Sequence, residues 1–574
     1  MAERQRVTGE RKRDKWPQPA RLRDLFSPRL LLLVAVAVVL LYGVVYPALH
    51  ILVASLQLNN LWSFENYRRA FLQPALFDSV FTSITISALT VLFCALIGIP
   101  LAFLFERYTF PGRNLFAVCA ALPLVLPPLV GTIAFILLCG ESGILARAVQ
   151  HLFDLPRAPW TLRGWPALLL FHTYTMYPFF YVLTAAGLRR IDAGLAEAGR
   201  SLGATGGRVI FRVVLPQLTP SLIAAGLLTF MTAMASFSAP LLFGGNVRVL
   251  TLEIFTARQR GDIAAATTET VILAIISLST LLLFQRYEGT RRFAAAAMKG
   301  APRLRKQVKR GRGRALAIAA GIVFSIALVL PIATLILVSF ARHGQWTTQT
   351  LPPAYTTDNY LRFVKDRTAS DAFINSISMS AIASLAALAW SFCVATLVIR
   401  KTRGRRLISF LVLITWALPG TVVALSIAEA YGKPSVLLGS FVLVGTFWIL
   451  PVVYFLRFMP LVVRAVQASM EQIDVSLTEA AASLGGNGWR RFSRVTFPLV
   501  LPGAIAGSLL AFVIALGEYV ASVLVFVPRN RPVSIAIASE LRDFNLGSAA
   551  AYGVVLIGII AFTMVVAGKL ERSR

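Results

Sequence analysis

The chain lacks the segments that most often carry catalytic chemistry. No G-x-x-x-x-G-K-[ST] stretch occurs in its 574 residues, so it has no loop of that kind to cradle the phosphates of ATP. Its four cysteines (Cys94, Cys119, Cys139 and Cys393) lie within or at the ends of apolar runs and show no C-x-x-C spacing. They read as small core residues, not as a disulfide framework or a metal site. The four histidines, His50, His151, His172 and His343, are scattered, whereas an integral membrane enzyme would want His, Asp or Ser gathered near one interface. Charge is scarce too: 14% of residues are charged and 57% are hydrophobic, which excludes a soluble globule of this length. Acids are the scarcer sign, 26 against 56 Lys and Arg, and the resulting net charge of +30 takes its meaning from where the bases fall.

Apolar runs of bilayer length occur near 30–56, 80–105, 114–138, 166–187, 219–243 and 266–285. A second set occurs near 315–340, 372–399, 407–430, 435–460, 499–527 and 549–568. The pattern predicts an all-α integral membrane protein of about twelve transmembrane helices in two homologous six-helix halves. The first run is too long for a signal-peptide core and has no small-residue cleavage site, so it is expected to remain as a span. With both termini cytoplasmic, the loops on their side collect most of the 56 bases, as the positive-inside rule requires. The surplus charge is then a topology signal, and a nucleic-acid partner drops out. Residues 1–29 are expected to form a disordered basic cytoplasmic tail, followed by half one over 30–290. Residues 291–314, the core of the basic stretch from Arg286 to Arg314, are expected to form a cytoplasmic linker against anionic lipid headgroups. Half two covers 315–574.

One stretch occurs twice. Residues 191–222 match 473–504 at 14 of 32 positions without a gap, at a constant offset of 282. A repeat of this length calls for a duplicated architecture. In each copy an aspartate (Asp192, Asp474) stands where an N-cap belongs, about ten helix-compatible residues follow, and Gly203 or Gly485 supplies a left-handed stop. A second short helix carries Arg208 and Arg212, or Arg490 and Arg494, and is expected to break before Pro216 or Pro498. The product is a helical elbow, 191–216 and 473–498, with a small-residue face (Ala196, Ala198, Gly199; Ala480, Ala481, Ala482). A single copy could be a mere connector between spans; two copies at matching places favour a docking surface used twice. The halves also match elsewhere, since Asn66-Tyr67 recurs as Asn359-Tyr360 and Pro128 as Pro419.

Glu197-Ala-Gly-(3)-Gly203-(9)-Val213-x-Leu-Pro216 and Glu479-Ala-Ala-(3)-Gly485-(9)-Val495-x-Phe-Pro498 resemble the EAA motif of the membrane-spanning permease subunits of bacterial ABC importers. Gly199, the two valines and Phe497 are mild departures, and Gly199 should soften the first helix. The resemblance implies a type I importer permease with both halves fused and no ATP hydrolysis or cofactor of its own. ATP would be bound by a separate dimer of ABC ATPase subunits on the cytoplasmic side. The ATPase-coupling residues would be Glu197, Ala198, Gly199, Leu202, Gly203, Glu479, Ala480, Ala481, Leu484 and Gly485. A periplasmic or lipoprotein substrate-binding protein would deliver cargo on the outer side of a bacterial inner membrane.

Within the spans an ionisable residue is a functional suspect. Glu518, in Gly517-Glu518-Tyr519, stands at the repeat offset from Ser236, in Ser236-Phe237-Ser238. The resemblance places Ser236, Phe237, Glu518 and Tyr519 on the translocation path; a packing role for the glutamate is the alternative. Pro123, Pro127, Pro128, Pro178, Pro419 and Pro451 would break helices there, either as hinges or as packing kinks. A twelve-helix secondary transporter is a competing reading, disfavoured because it would want coupling carboxylates facing one another at mid-membrane. The overall pattern resembles ferric iron-type permeases first, with thiamine, 2-aminoethylphosphonate and polyamine permeases as alternatives.

Overall fold

The computed structural model describes residues 28–58, 61–191, 193–295, 306–307, 311–346, 349–399, 402, 404–434 and 439–572. The tail up to residue 27, the expected cap Asp192, and residues 296–305 and 308–310 of the expected linker lie outside them. Among the described residues ten helices are long and apolar enough to cross a membrane, and the pair Arg405–Ala417 and Gly420–Ala430, bent by 107°, makes an eleventh. Gly164–Leu188 is the counterpart of the expected fourth span; His172, Thr173 and Thr175 dilute its apolar character, but it is 25 residues long and largely buried. All twelve expected segments therefore have a helical counterpart. The fifth and eleventh end early, at Met234 and Leu516, the ninth is the bent pair, and two more differ in outline. The third divides into Arg113–Val125 and a helix from Pro128, parted at Leu126–Pro127. The tenth is Ile449–Glu471, eleven residues beyond its expected end, because a helix leaving the bilayer continues as long as its residues tolerate helix.

The first span of each half packs on the other half. Val36, Leu40 and Val44 of Leu30–Ser55 enter a core with Trp390, Val412 and Leu456. Gly43 leaves no room for a side chain against Leu456, and the Tyr431 hydroxyl donates to the Tyr42 carbonyl at 2.5 Å. Arg312–Ser339 reciprocates: Leu328 joins the core of Phe116 and Tyr177, and the Tyr174 hydroxyl donates to the Leu328 carbonyl at 2.8 Å. This exchange interlocks the two halves through apolar burial.

The duplicated Asn-Tyr pairs perform one task twice. Asn66 Nδ2 donates to the carbonyls of Ser55 and Gln57 at 3.1 and 2.9 Å, and Asn359 Nδ2 to those of Ser339 and Ala341 at 2.8 and 2.9 Å. The tyrosines follow, with Tyr67 and Ser55 hydroxyls 2.8 Å apart and Tyr360 and Ser339 hydroxyls 2.6 Å apart. Each pair satisfies carbonyls freed where a span ends, in a place too buried for water to serve.

Candidate functional site

The second elbow is built as its residues dictate. Asp474 accepts from the Ser476 amide at 3.0 Å and starts the helix Val475–Ser483. That amide holds the Asp474 carboxyl below its ordinary 3.8. Gly485, at φ +76°, donates to the Ala482 carbonyl at 3.0 Å, and Gly486 to Ala481 at 2.9 Å, closing the helix with a left-handed stop. Asn487 then caps the next turn, accepting from the Arg490 amide at 2.8 Å.

The first elbow repeats this. After Ala193–Ser201, Gly203 at φ +81° donates to Arg200 at 2.9 Å and Ala204 to Gly199 at 3.0 Å; Thr205 accepts from the Arg208 amide at 3.4 Å. The expected breaks before Pro216 and Pro498 do not occur. Wide π turns, Ile210–Val214 and Phe492–Thr496, carry each short helix straight into the next span. A proline offers no amide, and the wider turn shifts the bonding register so that its ring is accommodated without a break.

What the elbows present is apolar and unpacked. Leu202 and Leu484 are each 88% exposed, Trp489 72% and Phe211 71%, beside exposed Glu197, Ala198, Glu479 and Ala480. Gly199 and Ala481 are partly covered. Nothing lies within 4 Å of where a side chain on Gly203 or Gly485 would begin. Leucines held open at matching points of two corners, each with a further exposed ring at a point of its own, have the character of an interface awaiting a partner.

Of the four residues expected on the path, Phe237 and Tyr519 meet where the halves join. Met234 and Leu516 end their helices, and the chain bends before Ser238–Phe243 and Val520–Val525. At these bends the rings of Phe237 and Tyr519, both buried, stand 6.0 Å apart across the halves. Gly517 packs on Pro127, the break in the third span, and a side chain at 517 would collide with it. Pro127 and the bend at Gly517 thus meet at one junction, whereas Pro178 lies inside the unbroken helix Gly164–Leu188 and breaks nothing.

Each half pins its bend differently. In half one Ser236 Oγ lies 2.8 Å from His172 Nε2, and the Thr251 hydroxyl donates to the Ser236 carbonyl at 2.7 Å. His172 Nδ1 is 3.4 Å from the Thr90 hydroxyl, so this histidine is a hydrogen-bonded packing residue. In half two Glu518 Oε1 accepts from the Ala521 amide at 2.9 Å, while the hydroxyls of Ser522 and Ser534 donate to its carbonyl at 2.7 and 2.8 Å. Arg457 Nη1 reaches the same carboxylate at 2.6 Å, as an ion contact whose alignment falls short of a hydrogen bond.

Arg457 was not legible in the sequence. It sits three residues before the expected end of the tenth span, where a base reads as an interfacial anchor, and its counterpart at the repeat offset is Thr175. The helix in fact starts at Ile449 and continues to Glu471, which leaves Arg457 eight residues inside it. Gly420, opening the second part of the ninth span, lies against its guanidinium and leaves no room for a methyl group. The other two acids within the ranges expected as spans differ: Glu429 pairs with Arg258 across the halves at 2.7 Å, and Glu269 keeps one buried oxygen without a partner. Among the described residues no three His, Cys, Asp or Glu side chains gather as a metal site.

Residues 95–288 and 381–574 each match the family described as the binding-protein-dependent transport system inner membrane component. A protein named as a probable ABC transporter permease, from Sinorhizobium fredii, is 30% identical over 86% of this chain and 87% of its own length. The ferric transport system permease protein of Actinobacillus pleuropneumoniae is 24% identical over 92% of this chain and 76% of its own length. The molybdenum transport system permease protein of Escherichia coli is 29% identical over 36% of this chain and 90% of its own length.

Proposed function

The chain belongs to the family of binding-protein-dependent transport system inner membrane components, and from that premise we propose that it forms the whole translocation path of a ferric iron importer. It is a multi-pass permease subunit of an ABC importer, and each of its halves supplies one family unit. Both elbows face the cytoplasm in this reading and each seats one copy of a separate ATPase dimer through Leu202 or Leu484. The soluble binding protein delivers cargo from outside, and Ser236, Phe237, Glu518 and Tyr519 form the closed point of the path at the junction of the halves.

One observation carries the coupling role: two corners of identical construction, each closed by a positive-φ glycine, hold a leucine 88% exposed. A connector would have no reason to keep such residues out of the packing. Iron as cargo is supported by the ferric permease relative, which matches across nearly the whole chain, and by the resemblance of the Ser-Phe-Ser and Gly-Glu-Tyr segments. An oxyanion is the second reading, favoured by the guanidinium of Arg457 at the junction and by the molybdenum relative.

The test is to isolate the binding protein that co-purifies with this chain and to identify its bound ligand. Uptake of radiolabelled iron, dependent on this chain, is then measured in whole cells. Iron in the binding protein and in the uptake assay supports the first reading. A bound oxyanion with no iron uptake replaces it with the second.

A further inference from the structure

Two turns on the same side of the molecule have the same construction and different residues at the critical point. After the helix Leu250–Gln259, Gly261 at φ +77° donates to the Arg258 carbonyl at 3.1 Å, and Asp262 donates to Ala257 at 3.0 Å. After Val533–Arg542, Phe544 at φ +56° donates to Leu541 at 3.2 Å, and Asn545 donates to Glu540 at 2.9 Å. Glycine takes this backbone freely, whereas a bulky residue resists it. Among the described residues only Asp154 and Phe544 have positive φ without being glycine, and aspartate tolerates that region far better than phenylalanine. Asn545, a residue suited to the strained position, stands one place too late.

The strain gains nothing within this chain, because the Phe544 side chain is 82% exposed. Its base is nevertheless firmly held. Asn545 Nδ2 donates to Glu540 Oε2 at 2.7 Å, Arg362 Nη1 donates to the Ser548 hydroxyl at 2.8 Å, and Gly547 abuts Asn359 so closely that no side chain would fit. Arg542 and Asp543, both exposed, stand next to it. A rigid turn therefore holds one unpacked aromatic ring outward among charges, the composition of an interface anchor.

We infer that Phe544 docks the soluble substrate-binding protein and fixes which way round it sits. This rests on the importer reading above, in which both turns lie on the outer face. The turn occurs once in each half, so a single binding protein could seat on the duplicated face in two orientations. A ring at 544, where the other half has a glycine at 261, distinguishes them. Strained non-glycine residues persist where the surroundings hold them for a task, and recognition is the task left open here.

The test uses the full chain with its ATPase in proteoliposomes, titrated with loaded binding protein while ATP hydrolysis is followed. Phe544→Gly removes the ring and relieves the backbone, so folding is not at risk; Phe544→Ala removes the ring alone. Both are expected to raise the half-maximal concentration of binding protein about tenfold or more, with basal hydrolysis unchanged. A photoreactive phenylalanine analogue at 544 in whole cells is expected to cross-link to the binding protein. Unchanged titrations for both variants, or cross-linking only to lipid, overturn the inference while leaving the importer reading intact. Wild-type hydrolysis that does not respond to binding protein at all overturns both.

Discussion

Neutralising both members of the Arg457–Glu518 pair is expected to damage this protein less than the two single neutralisations added together. At 2.6 Å the gross attraction is about 6 kcal/mol for an effective dielectric near 20. Desolvation offsets much of that, since the two side chains keep only 18% and 6% of their exposure. Arg457→Gln leaves a buried carboxylate with only the Ala521 amide to answer it, and Glu518→Gln leaves a buried guanidinium; each is expected to cost about 3–5 kcal/mol. The double variant strands no charge and should fall short of the summed losses by about 2 kcal/mol or more. Gly420→Ala pushes a methyl group into the guanidinium and is expected to reproduce part of the Arg457→Gln loss. Chemical unfolding of the purified variants in detergent gives the cycle. Strictly additive losses, within about 0.5 kcal/mol, would refute a coupled pair.

Three further outcomes are expected. Cysteine placed at Ser201 or Ser483 should react with impermeant thiol reagents only from the cytoplasmic side, and labelling of intact cells from outside would reverse the proposed orientation. Asn66→Ala and Asn359→Ala should each lower stability by about 1–3 kcal/mol, since each orphans two carbonyls; equal losses in unfolding would bear out the duplicated role, and a neutral result at either would refute it. The Asp474 carboxyl is depressed in the folded state, so its capping contribution is present above the ordinary 3.8 and is lost as the pH falls through the depressed folded value. Hydrogen exchange at the Ser476 amide should quicken over that fall in the wild type, beyond its intrinsic pH trend, and stay flat in Asp474→Asn.

Local chemistry was legible where a single residue decides a backbone state. Gly203 and Gly485 take the left-handed stops their positions implied, and Asp474 caps the helix it precedes. The Asn-Tyr repeat was visible as a pattern, but its task was not, because the carbonyls it serves lie 9 to 20 residues away in the chain. The prolines misled at the elbows, since a π turn absorbs what propensity treats as a break. Arg457 was missed for a different reason. Its role depends on where a helix begins, and apolar windows locate a span's centre far better than its ends. Phe544 carries no motif at all; only comparison with Gly261 in the folded duplicate exposes it.

The proposed coupling is tested most directly by the double variant Gly203→Asp, Gly485→Asp, followed for substrate uptake in cells and for ATPase co-purification. Nothing lies within 4 Å of where a side chain on either glycine would begin, so the added side chains meet no obstacle there. They strain two left-handed stops and thrust a carboxylate from the faces that hold Leu202 and Leu484 outward. The expected result is a protein that inserts and accumulates normally, transports nothing and retains little ATPase. Gly485→Asp alone should be more harmful than Gly203→Asp, because Gly199 already leaves the first helix looser. Normal transport by the double variant, with ATPase bound as in wild type, would mean that the elbows only connect spans.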